Sequence, residues 1–308
     1  MDALMDISII IVNWNTGELL KNCLSAVKET VRGLSCEVIV VDNASSDGSV
    51  ATLRDSFPET IVIENHENRG FGAANNQAMR VMKGRYALLL NSDAVLREHS
   101  VETLFSFMES RSEAGMACGQ LLNADGSKQN SIASFPNLLT LLMNASLLEY
   151  LFPARFPSKR YNCERPLEVD SCIGACLMVR KAAIDEVGLF DERYFFFFEE
   201  TDWALRMSKA GWKSFHLPEA QIYHLQGQSI GRNIRSRVEF YRSRYQFFRK
   251  WESRPVYLLY RVVIMVRLFL NWVLTTFGNL LTFGMNRELR DKFVVYGKLM
   301  VIHLKGAL

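Results

Sequence analysis

Four short apolar segments near the start of the chain constrain its fold more than any other feature. They are ISIIIV (7–12), EVIVV (37–41), TIVI (60–63) and RYALLL (85–90). Short runs rich in β-branched residues are typical of buried parallel strands, and the stretches between them have the apolar spacing of helices. The resulting βαβαβαβ order predicts an α/β fold, with a mainly parallel sheet and helices on both of its faces.

Polar side chains follow each of these four segments. They occupy positions 13–15, 42–47, 65–69 and 91–93 and include asparagine or aspartate in every case. Open parallel sheets bind ligands at the carboxyl ends of their strands. The sequence therefore predicts a ligand site along this edge, although polar loops of no special function are the alternative.

A cation site and a phosphate loop are both compatible with this edge. Asp93 suits Mg²⁺ or Mn²⁺, because such an ion is bound by one or two protein carboxylates together with substrate phosphates. The alternative is that Asp93 caps a helix beginning near Val95. His224, in AQIYHLQGQS (220–229) after a predicted strand at 212–216, is a ligand only if it folds beside Asp93. The glycines of GFG (70–72) permit close backbone approach, but the first strand lacks the G-x-G-x-x-G of a dinucleotide fold.

In the stretch RYFFFFEETDW (193–203), four phenylalanines are followed by three acids. Asp202 lies four residues before Arg206, so the two are expected to pair on a helix. Acids in a first helical turn also suit the helix dipole. An acid beside an aromatic run, however, has the raised pKa that a general base needs. Glu199 and Glu200 are therefore the candidate bases.

The end of the chain differs from the rest in charge and hydropathy. Residues 227–308 carry 15 Lys+Arg against 4 Asp+Glu. The apolar stretch 255–283 is long enough for a membrane span, but Arg261 and Arg267 interrupt it, and arginine is costly at mid-membrane. This pattern favours a helix or hairpin lying in the membrane interface, with a packing helix of a dimer or of the core as the alternative. The apolar interleaving disfavours nucleic acid, and six scattered cysteines without a CxxC pair suit a reducing compartment.

Six ordered stretches over about 1–230 resemble the family 2 glycosyltransferases, inverting enzymes of the GT-A fold. They are SIIIVNWNTGELLKNCLSAV (8–27), VDNASSDGSV (41–50), NRGFGAANNQA (68–78), LLLNSDAVL (88–96), the stretch IGACLMVRKAAIDEVGLFDERYFFFFEETDWALRMSKAGWK (173–213) and YHLQGQS (223–229). The resemblance implies a GT-A domain at 1–230, Rossmann-like and nucleotide-sugar-binding. Residues 231–308 would form a helical extension that binds a membrane or a second subunit as a homodimer.

Within this family the pattern most resembles the bacterial rhamnosyltransferases of cell-surface polysaccharide, such as O-antigen or cell-wall glycan. That resemblance implies transfer of L-rhamnose from dTDP-L-rhamnose to a glycan carried by polyprenyl diphosphate. It also implies action at the cytoplasmic face of the inner membrane, as a peripheral or monotopic protein. The alternatives are a UDP- or GDP-hexose donor, or an inactive, membrane-bound assembly partner. A nucleotidyltransferase is disfavoured because NWNTGELL, after the first strand, lacks the glycine-rich loop of that class.

The resemblance also implies a role for individual residues. Nucleotide-sugar contacts are implied for Asn13, Asp42, Asn43, Asp47, Arg69, Gly70, Asn75, Asn76, Ser92, Gly174 and Ala175. Asn13 and Asp42 would contact the base, and Asp47 and Arg69 the ribose and diphosphate. Asp93 and His224 would hold Mg²⁺ or Mn²⁺, with Asn91 in place of the first aspartate of a DxD motif. Glu199-Glu200 matches a Glu-Asp pair, so Glu200 takes the place of the catalytic aspartate.

Overall fold

The structure is a computed structural model that describes residues 5–143, 145–158, 161, 163–225 and 234–306. It divides into two compact units. The sheet unit comprises Met1–Phe135 and Ser146–Gly231, and the helical unit comprises Pro136–Ala145 and Arg232–Leu308.

Eleven strands and eleven helices make up the described part of the chain. In order these are β1 (Ile7–Asn13), α1 (Gly17–Thr30), β2 (Cys36–Asp42), α2 (Ser49–Ser56), β3 (Ile61–Glu64), α3 (Phe71–Met79), β4 (Tyr86–Asn91), β5 (Ala94–Leu96), α4 (Ser100–Ser110), β6 (Ala114–Leu122), β7 (Ile132–Ala133), α5 (Leu138–Leu142), α6 (Ala145–Leu151), β8 (Leu167–Val169), β9 (Ser171–Cys172), β10 (Cys176–Arg180), α7 (Lys181–Val187), α8 (Glu199–Lys209), β11 (Lys213–His224), α9 (Ile234–Trp251), α10 (Arg254–Leu281) and α11 (Arg287–Leu304).

The main sheet has the strand order β3-β2-β1-β4-β10-β6-β11-β5, with β8 also paired to β11. The first four strands are parallel, which confirms the prediction from the apolar segments. Strand β10 then enters antiparallel between β4 and β6. The carboxyl ends of β1, β2 and β4 lie side by side, with Asn13 paired to Asp42 and Val12 paired to Asn91.

Helices on both faces explain why the central strands are apolar throughout. In β1, Ile9 and Ile11 pack with Leu20 of α1 on one face, whereas Ile10 packs with Ala74 of α3 on the other. Successive side chains of a strand point to opposite faces, so a sheet covered on both sides needs an unbroken apolar run. Such burial stabilises the fold by roughly 25 cal/mol per Å² of apolar surface.

Strand β11 is longer than the sequence predicts. The predicted strand 212–216 and the start of the segment 220–229 are one strand of 12 residues, Lys213–His224. Its pairing with β6 shifts register between Leu217 and Gln221, around Pro218, which has no N–H to donate to a ladder. Beyond the shift the strand continues to His224, which pairs with Ala94 of β5. Residues 226–229 of the segment lie outside the described residues.

The helical unit is held by an aromatic core. Phe248 of α9 stacks on Tyr260 of α10 with ring centroids 4.2 Å apart, and both side chains are fully buried. Helices α10 and α11 pack together: Trp272 stacks on Phe293 with ring centroids 5.5 Å apart. Helix α10 has 28 residues, and by length and composition alone it is suited to crossing a membrane.

Candidate active site

A buried polar network joins the ends of β1 and β2. The Asn13 amide nitrogen donates to Asp42 Oδ1 (2.7 Å) and to Ser49 Oγ (2.8 Å). Its oxygen accepts from Thr16 Oγ1 (2.7 Å), and Thr16 in turn lies 2.8 Å from the hydroxyl of Ser92. Asn13 is fully buried, so in this conformation it positions Asp42 and presents no exposed atom of its own to a ligand.

The loop after β2 is ordered by the same kind of bond. Asp47 Oδ2 accepts from Gly17 N at the start of α1 (2.9 Å), and its other oxygen accepts from the Ser49 hydroxyl (2.6 Å). Partial burial opposes the charge, but these hydrogen bonds outweigh it, so the pKa of Asp47 lies below its ordinary value. Asn43 is buried and donates to the Gly70 carbonyl (3.2 Å), which ties this loop to the glycine-rich one.

The glycine-rich loop packs directly on the aromatic run. Gly70 has φ +84°, and a Cβ at this position would lie 2.4 Å from the Phe195 carbonyl oxygen. The next residue, Phe71, donates its N–H to that carbonyl (3.1 Å) and meets the Phe196 ring edge-on. Only glycine combines this backbone conformation with so close an approach. Arg69, just before the loop, is exposed.

The two asparagines of α3 are buried and hold backbone. Asn75 donates to the Phe71 carbonyl (2.9 Å). Asn76 donates to the Phe190 carbonyl and accepts from the Phe190 N–H, both at 2.9 Å, so its amide pairs with the main chain as a β-strand would. Its nitrogen also lies 2.9 Å from Glu192 Oε1. Asn76 thus anchors the chain that leads into the aromatic run.

Asp93 and His224 lie together, as a metal site would require. His224 Nε2 is 3.3 Å from Asp93 Oδ1 and 3.2 Å from Asn91 Nδ2. The alternative for Asp93 is wrong, because Ala94–Leu96 forms the strand β5 and the next helix begins only at Ser100. Strand pairing between β5 and β11 brings the two side chains together.

The hydrogen bond on the other side of the His224 ring sets its tautomer. Gln129 uses its amide nitrogen as a donor to the Asn123 side-chain oxygen, so its Oε1 faces His224 Nδ1 (3.0 Å) as an acceptor. Nδ1 therefore carries the proton in the neutral ring, and Nε2 presents a lone pair toward the Asp93 carboxylate. The Asn91 amide nitrogen can donate to this lone pair but the Asp93 carboxylate cannot, so a cation bound by both His224 and Asp93 would remove the repulsion between these two acceptors. This arrangement fits a divalent metal whose histidine ligand is oriented by an outer hydrogen bond.

Among the described residues no group of three or more His, Cys, Asp or Glu side chains is arranged to hold a metal. Two protein ligands are nevertheless what a Mg²⁺ or Mn²⁺ ion shared with a diphosphate normally has.

The acid pair opens helix α8. Glu199 is 2% exposed, and one carboxylate oxygen each of Glu199 and Glu200 is buried with no hydrogen-bond partner in the described part of the structure. Burial, together with the neighbouring charge of Glu200, raises the pKa of Glu199 well above its ordinary value. Burial also raises the pKa of Glu200, against the opposing effect of its own N–H and the main chain of Gly174.

The third acid has a structural role. Asp202 is fully buried and pairs with Arg206 Nε at 3.1 Å, which confirms the expected pairing four residues along a helix. Arg206 also donates to the carbonyls of Val187 (2.8 Å) and Leu189 (2.7 Å). Asp202 therefore fixes α8 to the preceding loop.

Two consecutive phenylalanines in left-handed backbone conformation deliver the acid pair. Phe197 and Phe198 both have φ +69°. For a non-glycine residue this conformation costs on the order of 1–3 kcal/mol, and such residues cluster at functional sites. The sequence carries no signal for it, because phenylalanine is not a residue associated with positive φ.

The sequence profile of glycosyl transferase family 2 matches residues 8–188. The chain belongs to this family. The match covers the strand ends, the glycine-rich loop, Asn91 to Asp93, and Gly174 with Ala175. It ends before the acid pair of this glycosyltransferase and before His224, so for those residues the geometry carries the argument.

Known relatives include rhamnosyltransferases, as the sequence predicts. N-acetylglucosaminyl-diphospho-decaprenol L-rhamnosyltransferase of Mycobacterium tuberculosis is 29% identical over 246 residues, which cover 75% of this chain and 79% of the relative. Rhamnosyltransferase WbbL of Escherichia coli K12 is 27% identical over 163 residues, or 50% of this chain and 60% of that one. Low-salt glycan biosynthesis hexosyltransferase Agl10 of Haloferax volcanii is 27% identical over 207 residues, covering 65% and 61%.

The fold also has a solved counterpart. GalNAc-T7, crystallised with UDP, GalNAc and Mn²⁺, superposes with a TM-score of 0.56 at 12% identity, covering 80% of this chain and 50% of that one. At this identity the likeness shows the fold alone. Together with the family match it confirms the predicted GT-A fold of this glycosyltransferase.

Three sets of contacts link most of the predicted site residues. The hydrogen-bond network runs from Asn13 to Ser92, and the loop after Gly70 packs on the aromatic run. Asn91 N donates to the Ala175 carbonyl (2.9 Å). A Cβ at Gly174 would touch the Phe71 ring at 3.5 Å, which places Gly174 beside the same loop. Sequence reasoning missed Gln129, whose only signal is its polarity within the long stretch between β6 and β8. It also assigned Asn76 to donor binding, whereas both ends of its amide bond the chain at Phe190.

Proposed function

We propose that this glycosyltransferase inverts the anomeric carbon of a nucleotide-diphosphate sugar, best matched by L-rhamnose from dTDP-L-rhamnose. The acceptor is a hydroxyl of a glycan on polyprenyl diphosphate, and the product is a bacterial cell-surface polysaccharide. The observation that carries the reaction type is the acid pair of Glu199 and Glu200, with buried carboxylate oxygens that no described group satisfies. The rhamnosyltransferase relatives support the choice of donor and of acceptor class.

Glu200 is the general base of this proposal. Its carboxylate takes the proton of the acceptor hydroxyl while that oxygen forms a bond to C1 of the sugar. The bond between C1 and the diphosphate breaks on the opposite face, and the nucleoside diphosphate leaves with the electron pair. A base with a raised pKa binds this proton more tightly, which general-base catalysis at neutral pH requires.

Glu199 stays protonated while Glu200 is ionised. It is the more deeply buried acid, and the charge of Glu200 adds to the effect of burial on its pKa. Two neighbouring buried carboxylates do not both ionise readily. The neutral Glu199 therefore leaves the charge on Glu200, beside the Gly174 main chain that lowers the pKa of Glu200.

Asp93 and His224 would hold Mg²⁺ or Mn²⁺, with Gln129 orienting the imidazole. When bound, the cation supplies Lewis-acid stabilisation of the departing diphosphate. Gly70 lets its loop pack on the Phe195 main chain, and Gly174 lies beside the Phe71 ring of the same loop. The aromatic run limits the access of water, which competes with the acceptor.

Because the acceptor is lipid-linked, the reaction takes place at the cytoplasmic face of the inner membrane, with the protein bound to its surface. The Mycobacterium relative, whose name includes a decaprenol substrate, supports this location.

The test is transfer to a short polyprenyl-diphosphate-GlcNAc acceptor with Mg²⁺ or Mn²⁺. Wild type is compared with Glu200→Gln and with Glu219→Gln, an exposed acid of the same unit. We expect Glu200→Gln to lower kcat by about 10²- to 10⁴-fold, the usual contribution of a general base, and Glu219→Gln to leave it unchanged.

Parallel reactions with UDP- and GDP-sugars test the donor, since a hexosyltransferase relative favours this second candidate. Transfer from those donors alone would replace rhamnose and keep the mechanism. Equal activity of wild type and Glu200→Gln would remove Glu200 as the base. Absence of transfer from every donor would point to an assembly partner.

A further inference from the structure

Helix α10 exposes one apolar face along its whole length. The exposed residues recur with helical spacing: Leu258, Leu259, Val262, Val266, Phe269, Leu270, Leu274, Phe277, Leu280 and Leu281. At about 100° per residue they cover roughly 160° of the helix circumference. Soluble proteins rarely expose a contiguous apolar surface of this extent without a partner for it.

The opposite face of α10 is already in use. Tyr260, Ile264 and Leu268 are buried in the helical unit. Arg261 and Arg267 fall by helical periodicity at the two borders between the buried and the exposed face. From a border, a long arginine side chain reaches polar surroundings while its stem stays on apolar surface.

Helix α10 and helix α11 form a closed hairpin. Gly278 and Gly297 allow this closeness, since a Cβ at the first would lie 3.0 Å from Leu289 and one at the second 3.4 Å from Trp272. The turn between the helices carries Phe283 and Met285, which are 89% and 79% exposed. The most exposed large apolar side chain among the described residues, Phe283, is thus at the tip of the hairpin.

The charge around this apolar face is strongly positive. Described residues 234–306 carry 14 Arg and Lys against 4 Asp and Glu. Basic residues near an anionic leaflet strengthen binding to it. The exposed face itself contains no charged residue.

We propose that the α10–α11 hairpin is a monotopic anchor, whose tip and exposed α10 face insert into an anionic lipid surface. This rests on the proposed function for its purpose, which is access to a lipid-linked acceptor, but its evidence is independent of the acid pair. The occupant of the apolar face is lipid, because a large apolar surface bordered by basic residues matches acyl chains beneath anionic headgroups.

A second copy of the chain fits this surface less well, since two units with the same excess of positive charge repel each other. Full crossing of the membrane fits less well too. If α10 crossed the membrane, its own Arg261 and Arg267 would lie in the hydrocarbon, where charge is costly. The helices α9 and α11 that pack against α10 would have to enter the hydrocarbon with it.

The test is co-sedimentation of the full chain with vesicles of phosphatidylcholine, with and without phosphatidylglycerol. The variant is the double substitution Leu281→Ser and Phe283→Ser, at exposed positions where folding does not depend on the side chain. Its matched control is Val81→Ser, which is 51% exposed in the sheet unit. We expect wild type and control to bind anionic vesicles, and the double variant to lose at least about tenfold in affinity, the effect of one large apolar side chain.

Unchanged binding by the double variant would overturn the proposal, as would wild type that fails to bind any vesicle. A wild-type dimer in solution that the double variant dissociates, without a change in vesicle binding, would assign the face to a second copy. Equal binding to both vesicle types would overturn the role of the basic residues.

Transfer to a water-soluble acceptor separates this proposal from the proposed function. We expect the double variant to keep that transfer. Vesicle binding that depends on the hairpin, in a protein without transfer activity, would keep the anchor and reject the enzyme.

Discussion

The sheet unit buries polar groups, whereas the helical unit exposes apolar ones. In the sheet unit Asn13, Asp93, Glu199 and Asp202 are all nearly or fully buried. In the helical unit Leu281, Phe283 and Met285 are more than three-quarters exposed. Buried acids and large exposed apolar patches are the informative departures from the usual distribution. This difference is what the two proposals require, a charged ligand for the sheet unit and a lipid surface for the helical unit.

Among the buried polar groups of the sheet unit, we expect the largest effect from Asn76→Ala. It removes the amide that pairs with both backbone atoms of Phe190, and each buried group left unsatisfied costs about 1–3 kcal/mol. We expect a lower free energy of unfolding by urea and a lower kcat, because the chain leading to the acid pair loses its anchor.

The control for Asn76→Ala is Arg80→Ala, which removes only the partly exposed pair with Glu192. Such a pair contributes about 0–1 kcal/mol. If both variants lose the same stability, Asn76 is not an anchor. Asn76→Asp keeps the acceptor for the Phe190 N–H but places a carboxylate oxygen against Glu192 and the Phe190 carbonyl, so we expect it to recover none of the loss in kcat.

Glu199→Gln sharpens the comparison through pH. Because the pKa of Glu199 is raised in the folded state, the folded protein binds an extra proton between the ordinary and the raised value. The free energy of unfolding of wild type therefore falls as pH rises through this window. Glutamine cannot ionise, so we expect the variant to become the more stable protein as pH rises, by on the order of 1 kcal/mol.

Thermal denaturation from pH 4.5 to pH 8.5 measures this difference. A constant difference in melting temperature between wild type and Glu199→Gln would show that Glu199 holds no unusual proton. Glu219→Gln, at an exposed position, serves again as the control.

Leu274→Gln tests the exposed side and has the smallest expected effect. Leu274 is 67% exposed, so its replacement should change the free energy of unfolding by no more than about 0.5 kcal/mol. Leu268→Ala, on the buried face of the same helix, should cost about 2–5 kcal/mol. Similar costs for both would mean that the face of Leu274 is packed in solution. Chemical denaturation of the two variants provides the measurement.

The parts of the fold that follow from local pattern were predictable from the sequence. The four parallel strands and their polar ends are encoded by apolar runs of strand length, and the pairing of Asp202 with Arg206 by helical spacing. The insertion of β10 antiparallel between β4 and β6 was not predictable in this way. It depends on contacts between segments 59 to 94 residues apart, which no local spacing records.

Within the candidate site the limit was the same. The residue types at the strand ends indicated a ligand site and a cation, and the family resemblance implied a nucleotide sugar. Neither showed which side chains face solvent and which bond the main chain. Asn75 and Asn76 are adjacent and chemically identical, yet each is committed to a different piece of main chain. The left-handed conformation of Phe197 and Phe198 depends on the packing around them, which the sequence shows only as a run of apolar letters.

The register shift in β11 makes the candidate metal site sensitive to chain length. Because alternate residues of a strand point to opposite faces, the number of residues between Leu217 and Gln221 decides toward which face His224 points. One residue more or fewer at Pro218 would leave both ends of the strand able to pair, yet turn the imidazole away from Asp93. Homologues that differ in length at this bulge would differ in metal use while sharing every ligand residue.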